Sequence, residues 1–474
     1  MSESNWPLRV VIVWAALLAA GCATDQKQEI ATYRKVIDAN KPSTVRIAPD
    51  RVVTLTDAVK LAVQNEEQLS LQGENYLQAL IAKDKAFANF LPTISYSAGW
   101  TYQSNGAVYP RHSQSLNEEI PGQWNLFNGF RDYYNVKAAN QTIEQQKQLI
   151  FDAEQTVLLD VAQTYYTVLT NEQSVDVLAN SLTAQEANVK TLQEQFRVGS
   201  ARPLDVAQAE SQASQTRVSL LQAQANVKTG RAMLVYLVDA PILSNPLRDD
   251  FVAPTAVGPQ ARWIADAEAG RQDLLAADAA VRAARYNVEV AFGQYYPSVA
   301  FNLGYELFDQ PFQPGTMWTT LLNVNVPIFT GGLIQAQVRQ AWSQYRAAAL
   351  TQEQLKRQID QNVQIAYVDL DLAHAELAEL QTQVIAARDE YYLALMLYKN
   401  GGGTYLNVQQ AQATLLTAQL SLTSEQFAQK TAYFNLLRTA GMLSYASLQS
   451  TTRPSEQELR ALATQPVTEP STRP

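Results

Sequence analysis

Residues Leu333 to Lys399 read LIQAQVRQAWSQYRAAALTQEQLKRQIDQNVQIAYVDLDLAHAELAELQTQVIAARDEYYLALMLYK and contain neither glycine nor proline. Tyr133 to Val198 shares that absence, in a chain holding 19 of each. Because these two residues are the strongest helix breakers, the windows predict two uninterrupted helices of roughly 100 Å each at about 1.5 Å per residue. In the earlier window Leu158, Val161, Tyr165, Val168, Val175, Leu182, Val189 and Phe196 keep to one three-four stripe. Val363, Tyr367, Leu370, Leu377, Val384, Tyr391, Leu395 and Tyr398 do so in the later one. Answering stripes follow each: Val206, Ala209, Ala213, Leu220, Ala223, Val227, Leu234 and Leu237, then Val408, Ala411, Leu415, Ala418 and Leu422. Paired seams of this period pack as coiled coils. The turns between them are Gly199-Ser200-Ala201-Arg202-Pro203, with proline placed to open the returning helix, and Asn400-Gly401-Gly402-Gly403-Thr404.

Outward from each helical hairpin lies a pair of period-two segments. Ile94, Tyr96, Ala98, Trp100 and Tyr102 alternate with Thr93, Ser95, Ser97, Gly99 and Thr101, and after a loop Trp124 and Leu126 alternate with Gln123 and Asn125. The second set is Val299, Phe301, Leu303, Tyr305 and Leu307, then Leu322, Val324 and Val326 alternating with Asn323 and Asn325. Alternation alone fits a half-buried soluble sheet. A length of about 10 residues, with aromatics recurring on the apolar side, fits strands that cross a membrane. On that reading four strands cannot close, since single-chain barrels begin at about 8 strands and lipid does not tolerate open edges. Several chains must then share one barrel.

The two halves repeat. Leu91-Pro92-Thr93-Ile94-Ser95-Tyr96 matches Tyr296-Pro297-Ser298-Val299-Ala300-Phe301 at an offset of 205, and Trp124-Asn125-Leu126-Phe127-Asn128-Gly129 matches Val326-Pro327-Ile328-Phe329-Thr330-Gly331 at 202. At 202 Tyr165 also falls on Tyr367, Gly199 on Gly401, Leu204 on Leu406 and Val206 on Val408. The chain therefore divides into a first repeat over 51–238 (strand hairpin 93–127, helical hairpin 131–238) and a second over 261–440 (298–329 and 332–440). A proline-bearing linker, 239–260, separates them, and 441–474 reads as a largely disordered tail.

Composition narrows the function. The chain has 474 residues, 47% hydrophobic and only 17% charged, with 49 glutamines, as expected for long helices with polar, weakly charged outer faces. A net charge of −9 argues against a nucleic-acid surface. One cysteine, Cys22, and two histidines, His112 and His374, leave no intramolecular disulfide and no Cys/His metal site. No nucleophile, base and orienter recur at motif spacing and no phosphate-binding glycine loop precedes a helix, so no catalytic residue, metal or cofactor is expected. The five methionines are scattered, so no methionine-rich metal path is visible.

At the amino terminus, Val10 to Ala20 is an apolar run too short to span a bilayer, ending in Leu18-Ala19-Ala20-Gly21-Cys22. It reads as a signal peptide over 1–21 with a lipobox, after which Cys22 becomes the acylated first residue of a polar segment, 22–50. A single lipid anchor binds a membrane only marginally, so a second attachment is expected.

Taken in order, the lipobox cysteine, two strand hairpins and two long helical hairpins resemble the TolC family of outer-membrane efflux proteins, in its acylated OprM-like branch. The tips Phe196-Arg197-Val198-Gly199 and Tyr398-Lys399-Asn400-Gly401, each with leucine five positions after its glycine (Leu204, Leu406), are similar to that family's, as is Phe-x-Gly at 127–129 and 329–331. The resemblance implies a mainly α fold with a small transmembrane β part. It implies a homotrimer sharing a twelve-stranded barrel in outer-membrane lipid and a periplasmic helical tunnel. A periplasmic adaptor and an inner-membrane pump would dock at the tips, Gly199, Ser200, Pro203, Gly401, Gly402 and Gly403. The family's constriction often carries acidic residues near the second hairpin; here those positions are the neutral Asn407 and Gln410, while Asp205 occupies the corresponding place in the first. Asp205, Asn407 and Gln410 are the gate candidates, with Asp205 also readable as an ordinary first-turn acid favoured by the helix dipole. His374 aligns with Glu172 and both read as polar seam positions; His112 falls in the loop between the first two strands. An export conduit, the outlet of a type I protein secretion system and a non-conducting envelope-spacing lipoprotein all remain open at this level.

Overall fold

The computed structural model describes residues 25–38, 51–65, 67–104, 112–254, 256–309 and 318–449. The expected signal peptide over 1–21, Cys22 and residues 450–474 lie outside the described residues. In chain order the elements are α1 (Gln26–Asp38), α2 (Leu55–Asn65), α3 (Glu67–Ala88), β1 (Thr93–Ile94), β2 (Ser97–Ser104), β3 (His112–Asn128), α4 (Arg131–Arg197) and α5 (Pro203–Val238). Then follow α6 (Gln260–Gly270), α7 (Gln272–Phe292), β4 (Ser298–Asp309), β5 (Trp318–Asn325), α8 (Leu333–Lys399), α9 (Tyr405–Thr439) and α10 (Tyr445–Gln449). The glycine- and proline-free windows are the two longest helices, 67 residues each, and they start and stop at the same offset of 202. The short helices repeat too, α2 with α6 and α3 with α7, both at 205.

The strands form one antiparallel meander, with β1 and β2 on one side of β3, then β4, then β5. The helices below follow the same lateral order: α3 packs on α4, α4 on α7 and α7 on α8. Farther from the sheet, α5 pairs with α4, α9 lies against both α4 and α8, and the row becomes α5, α4, α9, α8.

Between these levels a belt holds the largest core. Mid-helix residues of α4 (Val161, Tyr165, Tyr166) and α8 (Val363, Leu370) meet Trp263 of α6 and Phe427, Tyr433 and Phe434 of α9. Tyr166 stacks on Phe427 and Phe434 at 5.8 and 6.0 Å. The buried Tyr165 hydroxyl is shared between the carbonyls of Val53 (2.9 Å) and Arg248 (2.8 Å), tying together two segments that also form a parallel bridge, Val53 to Leu247.

Two expectations are extended here and two corrected. The 239–260 segment is more than a spacer: Ile242, Phe251 and Ala253 are buried in the belt, and Lys430 bonds to Asp249 and to the Phe251 carbonyl. Residues 441–449 do not belong to a tail, because Met442, Leu443 and Leu448 complete the same core. Within 22–50, α1 is a helix docked on α3, where Gly73 leaves room for the Tyr33 ring. His112 is a strand residue opposite Ser104, since β3 begins there and not at Gln123.

Candidate functional site: the strand sheet and the hairpin tips

Among the described residues the sheet buries neither face within the chain. Ile94, Tyr96, Trp100, Trp124, Leu126, Trp318, Leu322 and Val324 are all exposed, and every residue of β5 is open to its surroundings. Cross-strand register gathers them on one side, with Trp124 opposite Phe301, Val299 opposite Val324, Phe301 opposite Leu322 and Tyr305 opposite Trp318, the last pair in ring contact at 4.4 Å. The other side carries mainly small and polar residues, Ser97 opposite Glu119, Gln123 opposite Asn302 and Ala300 opposite Asn323, with the exposed Leu321, opposite Asn302, as an apolar exception. A soluble half-buried sheet would cover its aromatic face, and this one does not. The outer edges of β2 and β5 have no strand partner among the described residues.

The helical rows are open on the same two sides. Along α8, which forms one edge throughout, Leu350, Ile365, Val368, Leu372, Ile385 and Tyr392 are exposed; on the opposite edge so are Leu71 and Phe87 of α3 and Val218, Leu221 and Tyr236 of α5. Among the described residues no helix is long and apolar enough to cross a membrane.

At the far end both hairpins turn by the same device. The Ser200 N–H donates to the Gln195 carbonyl (2.8 Å) across Gly199 at φ 80, and the Gly402 N–H to the Leu397 carbonyl (2.9 Å) across Gly401 at φ 74. This closes the orphan carbonyls of α4 and α8 with a left-handed residue that glycine adopts without strain. Gly199, Ser200, Pro203, Gly401 and Gly402 are exposed and Gly403 half-buried, with Val198, Leu204, Leu397 and Leu406 presenting apolar side chains beside them.

The gate candidates divide. Asn407 and Gln410 are exposed on α9, with Asn407 held by the Thr404 hydroxyl at 2.7 Å. Asp205 is buried, and Arg202 donates to both its oxygens, Nε to Oδ2 at 3.1 Å and Nη2 to Oδ1 at 2.8 Å. The geometry places Asp205 with its own cation, in the third position of α5, and brings it beside two tyrosines of the other hairpin. Burial, then the charge of Asp205, raises the Tyr398 phenol, and burial with its tyrosine neighbours and Asp205 pushes Tyr405 up to about 12. Tyr398 and Tyr405 meet edge to face at 5.6 Å. With Leu192, Ala209 and Val408 they form the cluster that joins the two tips. Arg202 and Tyr405 were not singled out by sequence reasoning; the i, i+3 spacing of Arg202 and Asp205 was the available signal.

Glu172 and His374 also part company. Glu172 is paired with Arg231, whose guanidinium also donates to the Leu243 and Asn245 carbonyls, whereas His374 Nε2 is buried without a hydrogen bond. Among the described residues no group of three or more His, Cys, Asp or Glu is placed to hold a metal ion.

A family model described as outer membrane efflux protein matches residues 55–238 and 263–442, which is both repeats. The chain belongs to the outer membrane efflux protein family. It is 27% identical over 405 residues to the outer membrane efflux protein BepC of Brucella suis biovar 1, covering 82% of this chain and 86% of BepC. It is 21% identical over 400 residues to outer membrane protein TolC of Vibrio cholerae, covering 82% and 91%. The crystal structure of CusC, described in terms of transmembrane channel formation, superimposes with a TM-score of 0.74 over 85% of this chain and 96% of that one, at 16% identity. As an outer membrane efflux protein the chain resides in the outer membrane, and the sheet, with its uncovered aromatic face, is the part suited to lipid.

Proposed function

We propose that this outer membrane efflux protein is a passive conduit: a homotrimer whose copies contribute four strand positions each to one twelve-stranded barrel, and whose helical rows close into a periplasmic tunnel. The observation that carries this is the sheet that, among the described residues, has neither face and neither edge covered within one chain. In lipid an open edge leaves backbone groups unsatisfied at several kcal/mol each, so closure by further copies is required. Head-to-tail contacts that close on themselves make a ring, and the helical rows are open on matching sides. The aromatic face then meets lipid and the Ser, Asn and Gln face lines water.

The exposed tips are where a periplasmic adaptor and an inner-membrane pump would dock, and export then follows opening of the tip cluster around Asp205, Tyr398 and Tyr405. The protein performs no chemistry of its own and uses no cofactor or nucleic acid; lipid on Cys22 is its one covalent addition. Cargo, small molecule or secreted protein, is chosen by the pump. An envelope spacer has no use for a sheet with one aromatic and one polar face, both uncovered.

Native mass spectrometry of the detergent-extracted chain, with planar-bilayer conductance, tests the reading. A threefold assembly carrying acyl mass at Cys22 and passing ions is expected. A monomer that passes no current overturns it.

A further inference from the structure

Two positions in the seam of the first helical hairpin are polar where the second hairpin is apolar. Gln185 of α4 and Thr216 of α5 are 4% and 2% exposed, and at the offset of 202 their counterparts are Ala387 and Ala418. Those alanines belong to one buried cluster with Val384, flanked by Leu415 and Leu422. The repeat therefore sets Gln185 and Thr216 at one level of the α4–α5 seam. Their chain neighbours agree: Glu186 pairs with Arg217 across the same two helices, and Gln193 donates to Glu210 two turns nearer the tip. At about 1.5 Å per residue this level lies roughly 20 Å from the Gly199 turn.

Each of these side chains leaves an oxygen unanswered. Gln185 Oε1 and Thr216 Oγ1 are buried with no hydrogen-bond partner among the described residues, although the Gln185 amide donates to Ser181 Oγ at 3.4 Å. A threonine inside a helix commonly returns its hydroxyl to the carbonyl four residues back, as Thr191, Thr229 and Thr423 do. Thr216 does not. A buried acceptor and a buried hydroxyl at one level, both unpaired, are costly unless a third group answers both. The flanking residue makes room for one: Ala213, itself buried, stands where the second hairpin has Leu415. The charges next in sequence, Glu186 and Arg217, meet each other, so the group that fits is small and neutral, donating to the amide oxygen and bonding to the hydroxyl. Water does both.

We propose that Gln185 and Thr216 form a water-binding site, and that this hydrated layer makes the first hairpin, and not the second, the one that yields along its length when the tips part. A bridging water lets α4 and α5 shift by exchanging hydrogen bonds. The Ala387–Ala418 layer instead holds α8 and α9 in direct apolar contact, which a shift would have to open. The softness is a property of a single chain; only its use rests on the tip-opening reading above.

The test is hydrogen exchange in the full chain extracted in mild detergent, comparing residues 181–189 and 212–220 with their counterparts 383–391 and 414–422. In wild type the first pair of segments is expected to exchange several-fold faster; equal rates overturn the softness. Thr216→Val and Gln185→Met each strand the water on one partner and are expected to lower protection there by roughly fivefold, the equivalent of one hydrogen bond's net contribution. The double variant keeps both shapes, removes both polar groups and is expected to restore protection to wild type or above. Protection that rises in each single variant, or that falls further in the double, overturns the shared water. Where Gln185→Met does not assemble, Thr216→Val against Thr216→Ser carries the test, since serine keeps the hydroxyl and should exchange as wild type does. Planar-bilayer recording tests the use: the double variant is expected to conduct for a smaller fraction of the time. Unchanged conduction beside the expected exchange pattern overturns the role in opening and leaves the water site standing. A wild-type chain that never conducts overturns the conduit reading, and the exchange comparison still decides the site.

Discussion

Asp205 shows how neighbours decide what a carboxylate does. An exposed acid at a constriction can attract cations, but this one is buried and both oxygens are occupied by Arg202, so its charge is met within its own turn. Arg202→Ala leaves a buried carboxylate without its cation beside Tyr398 and Tyr405. Hydrogen exchange at residues 200–206 is expected to speed up, and adding Asp205→Asn should restore much of the protection; equal exchange in wild type and Arg202→Ala would show that the pair does not hold the tip. Tyr405 makes a pH prediction. Its phenol is pushed up to about 12, while an unfolded tyrosine titrates near 10. The unfolded chain therefore loses that proton first, and stability fully present below pH 10 declines as pH rises through about 12. In Tyr405→Phe the thermal midpoint should fall less steeply than in wild type between pH 10 and 12.

The long helices owe their length to what their sequence omits, and their ends to two glycines. Gly199 and Gly401 stand at φ 80 and 74 with open space around them, so a substitution there meets backbone strain and no clash. Gly199→Ala and Gly401→Ala are each expected to cost about 1–2 kcal/mol, read as a lowered thermal midpoint, and asparagine at either site should cost less. The belt behaves differently, because Phe434 is fully buried between Tyr166 and Phe251. Phe434→Ala is expected to lose roughly 3–5 kcal/mol in chemical denaturation, well beyond either tip variant. The helical hairpins were legible because Leu158, Val161 and Tyr165 declare their face by spacing. The rest of the belt was not: Ile242, Phe251 and Leu448 lie in stretches without periodicity, and only long-range packing assigns them to the same core as Val161 and Tyr165.

At the scale of the molecule, the same two sides are left open by the sheet and by the helical rows, which makes a single chain an arc and not a closed object. A barrel shared among copies would hold the protein in lipid with or without an acyl group. Cys22→Ser is therefore expected to remain in the outer-membrane fraction after carbonate or urea washing while losing its lipid mass; release into the soluble fraction would mean that the anchor, and not the barrel, retains it.

Sequence alone determined the tandem repeat, the two helical hairpins, the four strand positions and the turn glycines, because each is a local pattern: a period of 3.6 or 2, or a residue able to take positive φ. On the membrane-strand reading it also implied that four strands cannot close. Tertiary structure decided what depends on residues distant in the chain: that Asp205 belongs to Arg202 and lies against tyrosines of the other hairpin, that the linker and residues 441–449 are core, and that Glu172 is paired while His374 is not. It also separated Gly129, filled by the Gly293 carbonyl, from Gly331, which is empty. The two glycines end the same motif, and what tells them apart is whether the strand beside them has a neighbour in its own chain.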